Sequence, residues 1–216
     1  LFRIQRGCIR CSWSEFVLID LSLVSFHFFS VDPRFVNNMN RLELILGGAR
    51  SGKSRYGEAQ AEQLAGEAAE VVYIATAQAL DGEMQQRIIH HREQRPAHWL
   101  TLEEPLQLAV VLQRVRTEHP AAVILVDCLT LWLTNCLLSD QNDYWERQKA
   151  ALMDELQQLQ QPLLLVSNEV GYGIVPMGEL SRRFVDEAGR LHQDIARLAH
   201  DVTLVVAGIP MAVKRS

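Results

Sequence analysis

From Leu42 onward the chain alternates short, near-continuous apolar runs with longer stretches whose apolar residues recur every three or four positions. Leu42 to Leu46, Val71 to Ile74, Ala122 to Val126, Leu163 to Val166 and Val202 to Ala207 are too short and too uniformly apolar for helices, so they are predicted strands buried on both faces. Lys53 to Leu64, Glu83 to Arg92, Leu106 to Glu118, Leu129 to Leu138, Trp145 to Leu159 and Glu179 to Ala199 combine helix-forming residues with helical spacing, and are predicted helices. Strands alternating with helices predict an α/β fold, a mostly parallel sheet with helices on both faces. In such sheets ligands bind beyond the carboxyl ends of the strands, so residues that directly follow a strand are the first candidates for chemistry.

The first forty residues break this pattern. Six of the seven Phe lie there (Phe2, Phe16, Phe26, Phe28, Phe29 and Phe35) with no Ala and no Lys, whereas the remainder is rich in Ala, Leu and Glu. The apolar run from Phe16 to Val31 is interrupted by Asp20 and His27, is too short to span a bilayer and lacks a small-residue cleavage site, so no anchor or signal peptide is expected. Met39 stands just before the first predicted strand. Residues 1–38 are therefore read as an upstream extension, and residues 39–216 as a single catalytic domain.

Composition adds limits. With 48% hydrophobic and 22% charged residues the chain falls in the soluble globular class. Its formal net charge of −5 argues against non-specific binding to nucleic acid or an anionic membrane, so no nucleic-acid partner is expected. Cys8 and Cys11 form a lone pair at Cys-x-x-Cys spacing, and Cys128 and Cys136 sit in apolar surroundings; together they point to reduced thiols in a cytoplasmic protein.

The strongest chemical signal follows the first strand. Gly47, Gly48, Ala49, Arg50, Ser51, Gly52, Lys53 and Ser54 fill every fixed position of G-x-x-x-x-G-K-S, with a strand before and a helix after. Glycines there let successive backbone N–H groups turn toward a phosphate, and the helix adds its positive amino-terminal end. Lys53 is expected to reach the terminal phosphates and the Ser54 hydroxyl to ligate Mg²⁺. Such a loop needs a carboxylate on the metal side, usually after an apolar strand, and Asp127 ends Val123 to Asp127. Asp127 could instead cap the helix that follows. Ser167, Asn168 and Glu169 end a later strand and lead into the Gly-rich stretch 171–176, which either meets the substrate or turns the chain.

Of seven histidines, His119 and His200 stand at helix ends, where the helix dipole favours a cation. His90 and His91 stand between Arg87 and Arg92. A neutral imidazole among cations suits attack on phosphorus, although spacing alone favours two surface histidines on a basic helix end. Adjacent histidines project about 100° apart on a helix, which disfavours a shared metal.

The stretches LILGGARSGKSRYGE, YIATAQALDGEMQQRIIHHREQRPAHW with its following TLEEP, VDCLTLWLTN, SNEVGYGIVP, RRFVDEAGRLHQ and VVAGIP, in this order, resemble the bifunctional adenosylcobinamide kinase/adenosylcobinamide-phosphate guanylyltransferases of cobalamin biosynthesis. The resemblance runs from about Asn40 to Lys214. It implies a P-loop NTPase-like fold and two reactions: phosphorylation of the aminopropanol hydroxyl of adenosylcobinamide by ATP or GTP, then transfer of GMP from GTP to adenosylcobinamide phosphate with release of pyrophosphate. It implies a guanylylated histidine at His90, with His91 as its neighbour. Thr76, Arg92, Glu103 and Asp127 would lie near the guanine nucleotide, with Glu103 suited to accept hydrogen bonds from guanine N1 and N2. It also implies a homo-oligomer, a trimer. Two positions depart from the family pattern: Val185 stands where Arg is common, and His192 where Asn is common. The competing readings are a P-loop small-molecule kinase without nucleotidyl transfer, and a nucleotide-dependent switch or assembly ATPase.

Overall fold

The computed structural model describes residues 40–67, 69–78, 96–174 and 176–216, all within the unit Pro33–Ser216. The extension expected at residues 1–38, and the predicted helix from Glu83 to Arg92 with His90, His91 and Arg92, lie outside the described residues.

Seven strands, β1 (Leu42–Gly47), β2 (Val71–Ala75), β3 (Leu100–Glu103), β4 (Val123–Asp127), β5 (Leu163–Asn168), β6 (Asp201–Val206) and β7 (Ile209–Lys214), form one sheet in the order β3-β2-β4-β5-β1-β6-β7. All neighbours pair in parallel except the hairpin of β6 with β7. Five helices are described: α1 (Lys53–Ala65), α2 (Leu108–Glu118), α3 (Leu129–Leu137), α4 (Tyr144–Gln158) and α5 (Glu179–Leu198).

Strand alternation sorts the core into two layers. Leu44, Val72, Ile74, Ile124, Val126, Leu163 and Leu165 face a layer built with α2 to α5, where the rings of Trp132 and Trp145 meet edge to face at 5.3 Å. Ile45, Tyr73, Leu125, Leu164 and Val166 face the other, closed by Ala61 and Leu64 of α1 and by Trp99. Double coverage explains why the central strands read as uniformly apolar.

Two strands escaped the hydrophobic pattern. β3 is an edge strand with alternating exposure, and its four residues, Leu-Thr-Leu-Glu, make too short a period to stand out. β7 is exposed along its whole length, so no burial constrains its sequence, and Ile209, Met211 and Val213 face solvent in this chain.

Candidate active site at the carboxyl edge of the sheet

Parallel pairing brings the carboxyl ends of six strands to one edge. Register places Ala75 beside both Asp127 and Glu103, and Gly47 beside Asn168. The phosphate loop on β1, Thr76 after β2, Glu103 ending β3, Asp127 ending β4 and Glu169 after β5 are therefore brought to the same edge.

Local chemistry dictates the loop's shape. A Cβ on Gly47 would lie 2.7 Å from the Val205 carbonyl oxygen, so no larger residue fits against β6. Gly52 caps α1 at φ +93°, a left-handed conformation that side chains disfavour. Arg50 also has positive φ, at 56°. Ser51 N–H donates to the Gly48 carbonyl at 3.2 Å, and Gly208 N–H reaches back to the Ser51 carbonyl at 2.7 Å, tying the β6–β7 turn to the loop.

Several polar groups here lack a full set of partners among the described residues. No side chain caps the amino terminus of α1, so its first N–H groups keep their donor capacity. The Ser51 hydroxyl is enclosed and has no partner among the described residues. Buried Lys53 curls its ammonium onto the Gly48 carbonyl oxygen at 3.3 Å, and a Cβ on Gly48 would meet nothing within 4 Å, leaving room beside the loop. Ser54 is half-buried in the first turn of α1.

Asp127 caps no helix: Cys128 occupies the cap position of α3, and Asp127 Oδ2 accepts a hydrogen bond from the buried Tyr73 hydroxyl at 3.2 Å. Thr76 is fully buried. Its hydroxyl donates to the Cys128 carbonyl at 2.7 Å and accepts the Cys128 N–H at 2.9 Å, so it holds the backbone that carries Asp127. Asn135 Nδ2 donates to the Thr76 carbonyl at 2.9 Å and the Pro105 carbonyl at 3.0 Å, while Asn168 Nδ2 donates to Thr130 Oγ1 at 3.1 Å. Sequence reasoning missed Tyr73, Thr130 and Asn135 as supports of the edge. Their only signal was polar atoms in otherwise apolar segments. Glu103 is exposed at the far end of the row.

Cys128 and Cys136 are free, buried thiols. Burial pushes Cys128 up to about 11, reinforced by the neighbouring Asp127 charge, and burial alone pushes Cys136 up to about 12. His200 stands just past the end of α5, where its Nδ1 accepts the Leu42 N–H at 3.1 Å.

A phosphate loop on β1, an acidic residue ending β4 and an extra strand, β5, between them define a P-loop NTPase-like protein. Solved structures with similar folds include the flagellar accessory protein FlaH from Methanocaldococcus jannaschii, at TM-score 0.50 and 14% identity, covering 86% of this chain and 84% of that one. A prototypical ATPase from the type III secretion system of pathogenic bacteria aligns at TM-score 0.50 and 9% identity, covering 83% and 60%. These likenesses concern the fold alone. The family model for cobinamide kinase / cobinamide phosphate guanyltransferase matches residues 43–213. The chain is 58% identical over 174 residues to the bifunctional adenosylcobalamin biosynthesis protein CobP of Pseudomonas aeruginosa, covering 80% of this chain and 96% of that protein. It is 44% identical over 184 residues to the bifunctional adenosylcobalamin biosynthesis protein CobU of Salmonella typhimurium, covering 79% and 98%. This chain belongs to the cobinamide kinase / cobinamide phosphate guanyltransferase family, and it is an enzyme of that kind.

Proposed function

We propose that the chain phosphorylates the aminopropanol hydroxyl of adenosylcobinamide with ATP or GTP, and then transfers GMP from GTP to adenosylcobinamide phosphate through a guanylyl-histidine at His90. The observation that carries the reading is the meeting, at one sheet edge, of an anion-ready loop with uncommitted donors and the carboxylate of Asp127, in a chain of this family.

Lys53, the Ser51 hydroxyl and the free N–H groups of α1 would hold the triphosphate. Ser54 and Asp127 suit Mg²⁺. Among the described residues no cluster of three or more His, Cys, Asp or Glu forms a metal cage, and Mg²⁺ is commonly bound by one or two protein oxygens plus phosphates and waters. Bound there, it would neutralise charge on the phosphate oxygens. Thr76 would keep Asp127 aimed at the metal side through the Cys128 backbone. Glu103 stands four strand spacings from β1, about 19 Å at the usual 4.7–4.9 Å, and would serve the guanine end of an extended nucleotide. Arg92 and His91 would flank the nucleophile.

In the guanylyl step the imidazole of His90 bonds to the alpha phosphorus as the bond to pyrophosphate breaks, and the substrate phosphate then displaces His90. The phosphoramidate so formed resists alkali and is lost in mild acid. GTP labelled at the alpha phosphate should therefore leave acid-labile label on the denatured wild-type chain and none on His90→Ala, with His91→Ala still labelled. Label absent from the wild type would leave a plain kinase, and label retained by His90→Ala but lost from His91→Ala would move the nucleophile by one residue.

A further inference from the structure

We propose that Glu169 is the base that takes the proton of the substrate hydroxyl during phosphoryl transfer, and that His192 positions it. This rests on the kinase reaction proposed above. Glu169 directly follows β5, the strand between β4 and β1, and so stands between Asp127 and the phosphate loop. Its N–H donates to the Gly47 carbonyl at 3.0 Å, tying it to the loop's first residue. Of the described carboxylates that end β4 and follow β5, Asp127 is engaged by Tyr73 and suits the metal side, which leaves Glu169 for proton transfer.

The carboxylate has one hydrogen-bond donor and a neighbouring imidazole. Oε1 accepts the Gly171 N–H at 2.7 Å, and Oε2 lies 3.8 Å from Nδ1 of His192. No Arg or Lys pairs with it among the described residues, and its side chain is 19% exposed, open to an incoming hydroxyl. His192 projects from α5, is buried, and sets Nε2 2.7 Å from the hydroxyl of fully buried Ser167. Burial lowers the imidazole's affinity for a second proton, against the pull of Glu169, so the ring is neutral at neutral pH. A neutral ring has one N–H and one lone pair. A bare nitrogen facing a carboxylate would be repulsive, so Ser167 donates to Nε2 and the Nδ1 proton faces Glu169.

In the step itself the substrate oxygen bonds to the gamma phosphorus, the bond from that phosphorus to the bridging oxygen breaks, and a nucleoside diphosphate leaves. The hydroxyl proton passes to Glu169 and then to solvent. GMP transfer differs, because its acceptor is a phosphate oxygen that is already ionised and needs no base.

That difference supplies the test. With cobinamide as acceptor, Glu169→Gln should lower kcat for phosphorylation by about 10²-fold or more with the nucleotide KM little changed. Supplied with cobinamide phosphate, the same variant should transfer GMP at the wild-type rate. His192→Asn, which keeps an amide donor, should phosphorylate within about tenfold of wild type, whereas His192→Leu should lose kcat in phosphorylation alone. Unimpaired phosphorylation by Glu169→Gln, or equal loss of both reactions, overturns the base; equal loss of both in His192→Leu overturns the positioning role. A wild-type chain that phosphorylates no cobinamide overturns the underlying kinase reading instead.

Discussion

Lys53 illustrates how a residue's surroundings state its task. An ammonium that is only 8% exposed and, among the described residues, bound to one carbonyl oxygen is under-satisfied there, since it carries three donors. A triphosphate would supply the missing acceptors, and the interaction grows as charge develops on the transferring group. Lys53→Ala should therefore lose about 10²-fold or more in both phosphorylation and GMP transfer, measured as kcat/KM for each. Phosphorylation retained at the wild-type level would place the phosphates elsewhere.

At the scale of elements, two buried polar groups hold strands and helices in register. Glu43 is fully buried in β1, where apolar residues dominate. It accepts hydrogen bonds from Thr203 of β6 at 2.7 Å and from Tyr56 of α1 at 3.2 Å, and pairs with Arg41 at 3.5 Å. Hydrogen bonds to a charged group contribute about 1.5–3 kcal/mol each, so Glu43→Ala should cost about 3 kcal/mol in urea unfolding and leave the phosphate loop's chemistry intact in the folded fraction. The second group, His192, joins α5 to β5. Its affinity for a proton is lowered in the fold, so the unfolded chain binds that proton at higher pH. Its contribution to stability is present above the ordinary histidine value of about 6.5 and is lost as pH falls below it. The urea midpoint should fall on acidification through this range, and His192→Asn should flatten the fall. An unchanged slope in the variant would assign the acid sensitivity to other groups.

For the molecule as a whole, the compositional break near Met39 and the start of β1 at Leu42 predict that the catalytic domain needs nothing before Met39. A chain beginning there should fold cooperatively and carry both reactions; an insoluble or inactive product, beside an active full chain, would make the upstream residues part of the domain. Among the described residues no helix is long and apolar enough to cross a membrane.

What the sequence determined by itself was whatever local pattern controls. Double burial wrote β1, β2, β4, β5 and β6 as apolar runs, helical periodicity marked α1 to α5, and a loop that must cradle phosphate left a contiguous signature from Gly47 to Ser54. Tertiary structure alone decided the rest, because it depends on contacts between distant positions. β3 and β7 lie at the sheet's edges, where burial does not shape the sequence. Thr76 and Cys128 are 52 residues apart, and their contact exists only because β2 and β4 pair. Ser167, His192 and Glu169 likewise become one cluster only when α5 folds back across the sheet. A one-dimensional pattern records which faces are buried, while hydrogen bonds across the sheet are fixed by strand order and register, which no single segment contains.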